Sequence, residues 1–311
     1  MELRLDKFQD KNLIPGLRGI IPSLHTPFNQ DNSLDLVSLK KLVEHTIMTG
    51  CAGMLVGAVA GETSSLSLQE KQKVMDCCIK QNNNRIPIIV GCSADNQEAR
   101  IKLSKSAKEA GAEWFLCQAP NDLQGKELLE CFLELSEVGP DNLMIQDLSW
   151  SDNGMDDDDI LRLYQNLEKF KAFKIEVLNS GPKYSRVLKA TNNKLHLSGG
   201  WAIMGMIEAL NRGVHAFIPS TMEHLYNSIY SLFIENKYNE ARNLFYQILP
   251  ILSFTHQHID IAIKFSKLLR VQEGIFNSAF CREPIDDFDK YQNSEAEIHI
   301  AKILTLQNNK F

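Results

Sequence analysis

The segment FKIEV, at residues 173–177, places two charged side chains inside what reads as a buried strand. Phe173 and Ile175 are apolar strand formers, so in an extended segment Lys174 and Glu176 share the opposite face. A lysine ammonium in a dry site is destabilised, which leaves more of the nucleophilic amine. Such an amine can condense with a ketone, and the protonated imine then accepts the electrons of an adjacent carbon–carbon bond that breaks. The alternative is a structural ion pair between Lys174 and Glu176.

Eight short apolar runs predict the strands that would position this lysine. Alternating strand and helix patterns favour a parallel sheet, and eight units fit a closed (β/α)8 barrel of the TIM type, which takes ~250 residues. A doubly wound open sheet is the alternative, but its early glycine-rich dinucleotide fingerprint is absent. In the barrel, Lys174 and Glu176 point inward near the end of the sixth strand. The runs are GIIPSL (19–24), GMLVG (53–57), PIIVG (87–91), WFLCQ (114–118), LMIQD (143–147), FKIEV (173–177), KLHLS (194–198) and AFIPS (216–220).

Helical segments lie between the runs and continue after the last one. Ser67 three residues before Glu70, and Asp95 three before Glu98, are predicted helix starts. After Ser220 the pattern is helical only. We therefore predict an α/β fold with a barrel over residues 1–225 and a C-terminal helical extension over 226–311 that packs on it.

Composition excludes several classes of function. The chain has 311 residues, 44% of them apolar, and a net charge of -6 without a basic block, which argues against a nucleic-acid partner. We expect no membrane contact, because the longest uncharged runs are too short to span a bilayer, and residues 1–12 lack the apolar core of a secretory signal. Seven cysteines without a CxxC pair predict reduced thiols and a cytoplasmic location. The run Asp156–Asp159 is interpreted as a helix start rather than a metal site, and we predict no metal or cofactor.

Several motifs stand in the order of one known family. The chain resembles the dihydrodipicolinate synthase and N-acetylneuraminate lyase superfamily of pyruvate-type class I aldolases, from Leu17 to Leu304. The resemblance implies that Lys174 forms the Schiff base. It also implies a 2-oxo acid substrate, such as pyruvate or a keto-deoxy sugar acid, and a homo-oligomer, either dimer or tetramer. The motifs are TPF (26–28), GETSSLSLQE (61–70), Gly111-Ala112, SGGWA (198–202), RGVHAFIPS (212–220), IKFSKLL (263–269) and REP (282–284).

The chain departs from this family at the residues that usually assist the lysine. Two threonines, which in the family hold the substrate carboxylate, are replaced by Val59 and Ala60, whose backbone N–H groups can still donate. The proton-relaying tyrosine aligns with Gln146, which is no acid or base. A tyrosine pair is replaced by Asn121 and Asp122. An arginine that meets the second substrate is missing, with Ser151 as the nearest match.

Other polar residues could take over the missing roles. His25, Asp122 and Asp147 follow predicted strands and are candidate acids or bases, although a structural histidine and helix-capping aspartates explain them as well. The resemblance implies that Glu62 braces the site loop. The amides of Gly199 and Gly200 could bind an oxyanion, or the pair could form a simple turn. The predicted catalytic residues are Lys174, Gln146 and Asp122, and the predicted substrate-binding residues are Val59, Ala60, Glu62, Glu176, Gly199, Gly200 and Ile218.

Two classes of function fit these observations. The first is a lyase that forms an imine between Lys174 and a 2-oxo acid, then cleaves a carbon–carbon bond or eliminates water. The second is a barrel that keeps the ligand pocket but turns over little, acting as a 2-oxo acid binding or regulatory protein. Lys174 favours the first, whereas Val59, Ala60 and Gln146 favour the second.

Overall fold

The computed structural model of the protein describes residues 17–200, 204–282 and 284–308. Each predicted apolar run overlaps a strand. Five strands are shorter than their runs, whereas the fifth extends beyond its run at both ends and the sixth begins earlier, at Phe170. In the described residues the strands are β1 (Gly19–Ile20), β2 (Met54–Val56), β3 (Ile88–Gly91), β4 (Trp114–Gln118), β5 (Asn142–Leu148), β6 (Phe170–Glu176), β7 (His196–Gly199) and β8 (Ala216–Phe217).

A helix follows every strand, and three more helices follow the eighth unit. The described helices are α1 (Leu36–Met48), α2 (Leu68–Asn82), α3 (Gln97–Glu109), α4 (Gly125–Val138), α5 (Asp157–Asn166), α6 (Ser180–Ala190), α7 (Met206–Arg212), α8 (Glu223–Ile234), α9 (Tyr238–Thr255), α10 (Ile259–Gln272) and α11 (Lys290–Asn308). This alternation confirms the predicted (β/α)8 fold, and α9 to α11 are the predicted C-terminal helices.

Contacts divide the chain into two compact units. Of the described residues, the first unit contains those up to Ile21 and those within Pro87–Ile218, and the second contains Pro22–Ile86 and those from Pro219 onward. In the first unit β1, β8, β7, β6, β5, β4 and β3 are hydrogen-bonded in that order, and their pairs are parallel. In the second unit α9 packs on α8, and α11 packs on α8, α9 and α10. The boundary between residues 225 and 226 stays a prediction.

The two predicted helix starts have different outcomes. Ser67 caps α2 through a reciprocal capping box, in which its side chain accepts from the Glu70 amide and the Glu70 side chain accepts from the Ser67 amide. The prediction for Asp95 is wrong. Asn96 caps α3 instead, because its side-chain oxygen accepts the Ala99 N–H at 2.9 Å.

Some predicted features lie outside the described residues: Trp201 and Ala202 of the SGGWA motif, Glu283 of the REP motif, and residues 1–12. All seven cysteines are buried and unpaired. Among the described helices, none combines the length and apolar character that a membrane span requires.

Candidate functional site

The register of the first unit aligns four polar residues across neighbouring strands. Gln118 of β4 lies opposite Gln146 of β5, Gln146 lies opposite Lys174 of β6, and Lys174 lies opposite Ser198 of β7. Paired residues of a parallel sheet project from the same face, so these side chains form one row. Four polar side chains side by side on one face of a sheet are unusual for core packing, which marks the row as a candidate site.

Lys174, Glu176 and Gln146 form a buried cluster on this face. Lys174 Nζ lies 2.8 Å from Glu176 Oε2, and the two side chains are 6% and 8% exposed. Gln146 Nε2 donates to the same Glu176 oxygen. Because a buried carboxylate is costly unless it is paired and hydrogen-bonded, these contacts explain how Glu176 is tolerated. The predicted ion pair between Lys174 and Glu176 is therefore present, and the predicted catalytic residue Gln146 is hydrogen-bonded to its carboxylate.

The opposite face of β5 points to the helices. Asp147, next to Gln146 but on the other face, is buried against Lys183 of α6, with Lys183 Nζ 2.5 Å from Asp147 Oδ2. Lys183 Nζ also donates to the carbonyls of Asn153 (2.7 Å) and Met155 (2.6 Å). Burial raises the pKa of Asp147, which the Lys183 charge opposes. The helices lie on the face of the sheet from which Asp147 projects, so Lys174, on the other face, points inward as predicted. Asp147 and Lys183 together anchor the loop after β5, and Asp147 does not face Lys174.

The two predicted oxyanion glycines have separate environments. A Cβ on Gly199 would lie 2.7 Å from Tyr184 Oη, so this position gives room to a tyrosine of α6. A Cβ on Gly200 would clash with Glu176 Oε1 and come within 2.8 Å of Lys174 Cε. Gly200 therefore provides the space that the Lys174–Glu176 pair occupies. The binding of a substrate oxyanion by either amide stays a prediction.

A cavity of about 230 Å³ lies beside the loops after β4 and β5, on the helix side. Asp147, Leu128 of α4 and Asp159 of α5 contribute to its wall. Because Asp147 projects from the face opposite to Gln146, this cavity is not the space around Lys174. Its four lining carboxylates include Asp159, whose Oδ1 already accepts the Gly125 N–H at 3.0 Å.

The residues in the threonine positions lie in the second unit. Val59 and Ala60 belong to a 3₁₀ turn, Val59–Gly61, in which Val59 is 40% exposed and Ala60 is buried. The next residue, Glu62, has a left-handed backbone with φ 53°. Its carboxylate is paired with Lys267 of α10 and accepts the Arg282 N–H at 2.9 Å. These contacts are those of a bracing residue, whereas the binding roles of Val59, Ala60 and Glu62 stay predictions.

His25 also lies in the second unit and is buried. Among the described residues neither of its ring nitrogens has a hydrogen-bond partner. Burial, followed by the charges of Arg270 and Lys267, lowers the pKa of His25 to about 3. The imidazole is therefore neutral near pH 7, which removes it as a ready proton donor.

Two further predicted residues occupy contrasting positions. Asp122 is exposed in the turn after β4, without a described contact to the lysine cluster, so its catalytic role stays a prediction. Ile218 is buried just after β8 and donates its N–H to the Gly199 carbonyl at 2.7 Å, and its substrate contact stays a prediction. In the described chain, no group of three or more histidine, cysteine or acidic side chains is arranged to hold a metal ion.

Sequence reasoning missed Ser198 and Lys183. Ser198 is fully buried, and its hydroxyl has no hydrogen-bond partner among the described residues, although it lies opposite Lys174 in the sheet. Alternation along β7 could have assigned its face, but only the register places it beside the lysine. Lys183 lies in α6, soon after the sixth strand, but its pairing with Asp147 depends on how α6 packs on the sheet.

Comparison with known proteins agrees with this architecture. A sequence model described as the Dihydrodipicolinate synthetase family matches residues 16–303. A 4-hydroxy-tetrahydrodipicolinate synthase from Salinibacter ruber is 30% identical over 103 residues, which is 33% of this chain and only 34% of that protein. The chain resembles crystal structures of a dihydrodipicolinate synthase from Rhodopseudomonas palustris (TM-score 0.85, 20% identity, 93% of this chain and 99% of the other) and an N-acetylneuraminate lyase from Fusobacterium nucleatum (TM-score 0.82, 20% identity, 92% and 99%). At these identities the structural likeness establishes the fold.

Proposed function

Because the chain belongs to the dihydrodipicolinate synthetase family, we propose that it is a Schiff-base-forming lyase in which Lys174 forms an imine with a 2-oxo acid. The observation that carries this proposal is the buried, inward Lys174 Nζ, held 2.8 Å from a carboxylate in a polar row of the sheet. A primary amine in this position can attack a ketone carbon once it has lost a proton.

The proposed chemistry starts at the Lys174 nitrogen. Its amine adds to the C2 carbonyl of the 2-oxo acid, the carbonyl oxygen leaves as water, and a protonated imine remains. Electrons from the C3–C4 bond, or from a C3–H bond in a dehydration, then move toward the positive nitrogen and form an enamine. In cleavage the C4 hydroxyl loses its proton, C4 leaves as an aldehyde carbon, and C3 of the enamine takes up a proton. In dehydration the enamine expels the C4 hydroxyl as water. Water then adds to the imine and frees both the product and the lysine.

The altered positions limit the choice of substrate. The resemblance implies threonines and a tyrosine at the positions of Val59, Ala60 and Gln146, and on that basis substrate carboxylate recognition here relies on backbone N–H groups. The missing arginine disfavours a second substrate with a carboxylate of its own. A single 2-oxo acid with a hydroxyl at C4, such as a keto-deoxy sugar acid, fits the proposal better, because pyruvate alone has no C3–C4 bond to cleave and no hydroxyl to eliminate.

One observation favours a second candidate function. Gln146 Nε2 donates to Glu176, and a glutamine amide cannot relay protons as a tyrosine does. A chain that forms the imine slowly would act as a 2-oxo acid binding or regulatory protein on the same scaffold. The two candidates differ in turnover and share the Lys174 adduct.

Borohydride reduction in the presence of pyruvate tests the proposal. The reduced adduct should add a pyruvate-derived mass to the peptide that carries Lys174, as read by mass spectrometry, and Lys174→Ala should abolish it. Lys126→Ala is the matched control, since Lys126 pairs with Glu130 at 3.0 Å but is exposed, and it should leave labelling unchanged. Labelling of other lysines, or none with pyruvate and with a keto-deoxy sugar acid, refutes the imine mechanism.

A further inference from the structure

The cluster around Lys174 contains one ionisable group that can exchange a proton directly with its nitrogen. Glu176 Oε2 lies 2.8 Å from Lys174 Nζ, within the range of a charge-assisted hydrogen bond. Gln146, which aligns with the family's relaying tyrosine, donates a hydrogen bond to the same oxygen, but its amide does not ionise and cannot relay a proton. We propose that Glu176 is the proton-transfer residue for imine formation and imine hydrolysis at Lys174. This inference rests on the proposed lyase function.

The other nearby ionisable groups are engaged elsewhere. Tyr184 of α6 donates its hydroxyl to the Ile175 carbonyl at 3.2 Å, and burial raises its pKa further above the ordinary value for a phenol. It therefore remains protonated and bonded to the backbone. Asp147 lies on the opposite face of β5, where Lys183 holds it. Lys174 contacts Glu176 directly at 2.8 Å, whereas the charge of Glu176 acts on Tyr184 only by helping to raise its pKa.

The space beside Glu176 is provided by Gly200. A Cβ at Gly200 would clash with Glu176 Oε1, so the missing side chain lets the carboxylate reach over toward Lys174. Gln146 and Lys174 both contact Oε2, which fixes the orientation of the carboxylate relative to the nitrogen. A general acid or base works efficiently only when it is held within hydrogen-bond reach of the reacting atom, and this arrangement supplies that constraint.

The proposed steps conserve atoms and charge. Glu176 accepts one proton from the Lys174 ammonium, and the amine attacks the carbonyl carbon to form a C–N bond. A proton then passes from nitrogen to the former carbonyl oxygen, and Glu176 returns its proton to the resulting hydroxyl. The C–O bond breaks and water leaves. Two ammonium protons end on water, the third stays on the iminium nitrogen, and Glu176 is again a carboxylate. Hydrolysis is the reverse.

A purely structural ion pair makes the opposite prediction. If Glu176 only holds Lys174 as an ammonium, then removing the carboxylate leaves a buried charge without its partner, which favours the neutral amine. Imine formation would then stay as fast or become faster. If Glu176 transfers protons, its loss slows imine formation by the amount that a general acid or base contributes, ~10²- to 10⁴-fold.

Timed borohydride trapping with pyruvate separates these outcomes. Glu176→Gln should lower the initial rate of Lys174 adduct formation by ~10²-fold or more. Glu130→Gln is the matched control, because it removes an exposed Lys–Glu pair of 3.0 Å by the same chemical change, and it should keep the wild-type rate.

The results distinguish the inference from the proposed function. An unlabelled wild-type protein refutes the imine mechanism itself. A labelled wild type with Glu176→Gln within threefold of its rate, or faster, refutes the role of Glu176 while leaving the lyase proposal intact. If Glu176→Gln does not fold, Glu176→Ala is tested with added formate. A saturable rise in adduct rate with formate, absent with chloride, supports the role, and no rise overturns it.

Discussion

Gly200→Ala tests whether the geometry of the Lys174–Glu176 pair matters. A Cβ at this position would clash with Glu176 Oε1 and lie 2.8 Å from Lys174 Cε. Both atoms belong to flexible side chains, so the clash can be relieved by moving the pair rather than the backbone. We therefore expect the free energy of unfolding to fall by about 1 kcal/mol, the low end of the ~1–3 kcal/mol range for overpacking.

The functional effect of Gly200→Ala should be larger than its effect on stability. Displacing the carboxylate by about 1 Å from its 2.8 Å contact removes the hydrogen bond to Lys174 Nζ, since a heavy-atom distance near 3.8 Å no longer supports one. A misplacement of ~1 Å costs catalysis up to ~10²-fold, so the rate of Lys174 adduct formation should fall at least tenfold. Urea unfolding and timed borohydride trapping with pyruvate measure the two quantities on the same samples.

Gly205→Ala is the control for this experiment. No atom lies within 4 Å of a Cβ built at Gly205, and its φ of -101° suits any residue. Gly205 is the N-cap of α7, where Ala caps less well than Gly, so the change should cost up to about 1 kcal/mol of stability and leave the adduct rate unchanged. A folded Gly200→Ala protein with the wild-type adduct rate would refute the reasoning, because the crowded pair would then be irrelevant to imine formation.

Three further outcomes are expected. A coupled assay with pyruvate and aspartate semialdehyde should give at most trace turnover, because Gln146 cannot relay protons and general acid–base groups contribute ~10²- to 10⁴-fold; rates typical of a biosynthetic enzyme would mean that the fifth strand is misaligned. Asp147→Asn should lower the free energy of unfolding by ~3–5 kcal/mol, since it leaves Lys183 buried without its carboxylate, and a urea-measured loss below about 1 kcal/mol would contradict this. The urea midpoint should be lower at pH 5 than at pH 7, because histidines of the unfolded chain take up protons below about pH 6.5 and the buried histidines of the folded chain do not. His25→Gln should weaken this dependence. Equal midpoints at both pH values would contradict the prediction. The histidines whose pKa is lowered most are His25 (about 3), His196 (about 4), His215 (about 3) and His256 (about 4).

Local periodicity was enough to predict the architecture and the lysine. Short-range patterns of apolar residues predict strands and helices. The alternation in FKIEV alone places Lys174 and Glu176 on one face of the strand. The capping box at Ser67 was likewise readable, because both of its hydrogen bonds close within three residues. Asp95 and Asn96 are adjacent, and both residue types are good helix N-caps. The sequence alone therefore did not determine which of them caps α3.

Only the tertiary structure decided which polar side chains meet. The pairing of Asp147 with Lys183 and of Glu62 with Lys267 joins residues that are distant in the chain, and no local pattern encodes such contacts. The contact between Gln146 and Glu176 depends on the register of β5 against β6, where a shift of one residue would turn Gln146 to the helices and bring Asp147 inward. The sequence by itself therefore determined the fold and the inward lysine, because these follow from short-range periodicity. The carboxylate–amide cluster around that lysine was decided by strand register, which is a long-range property.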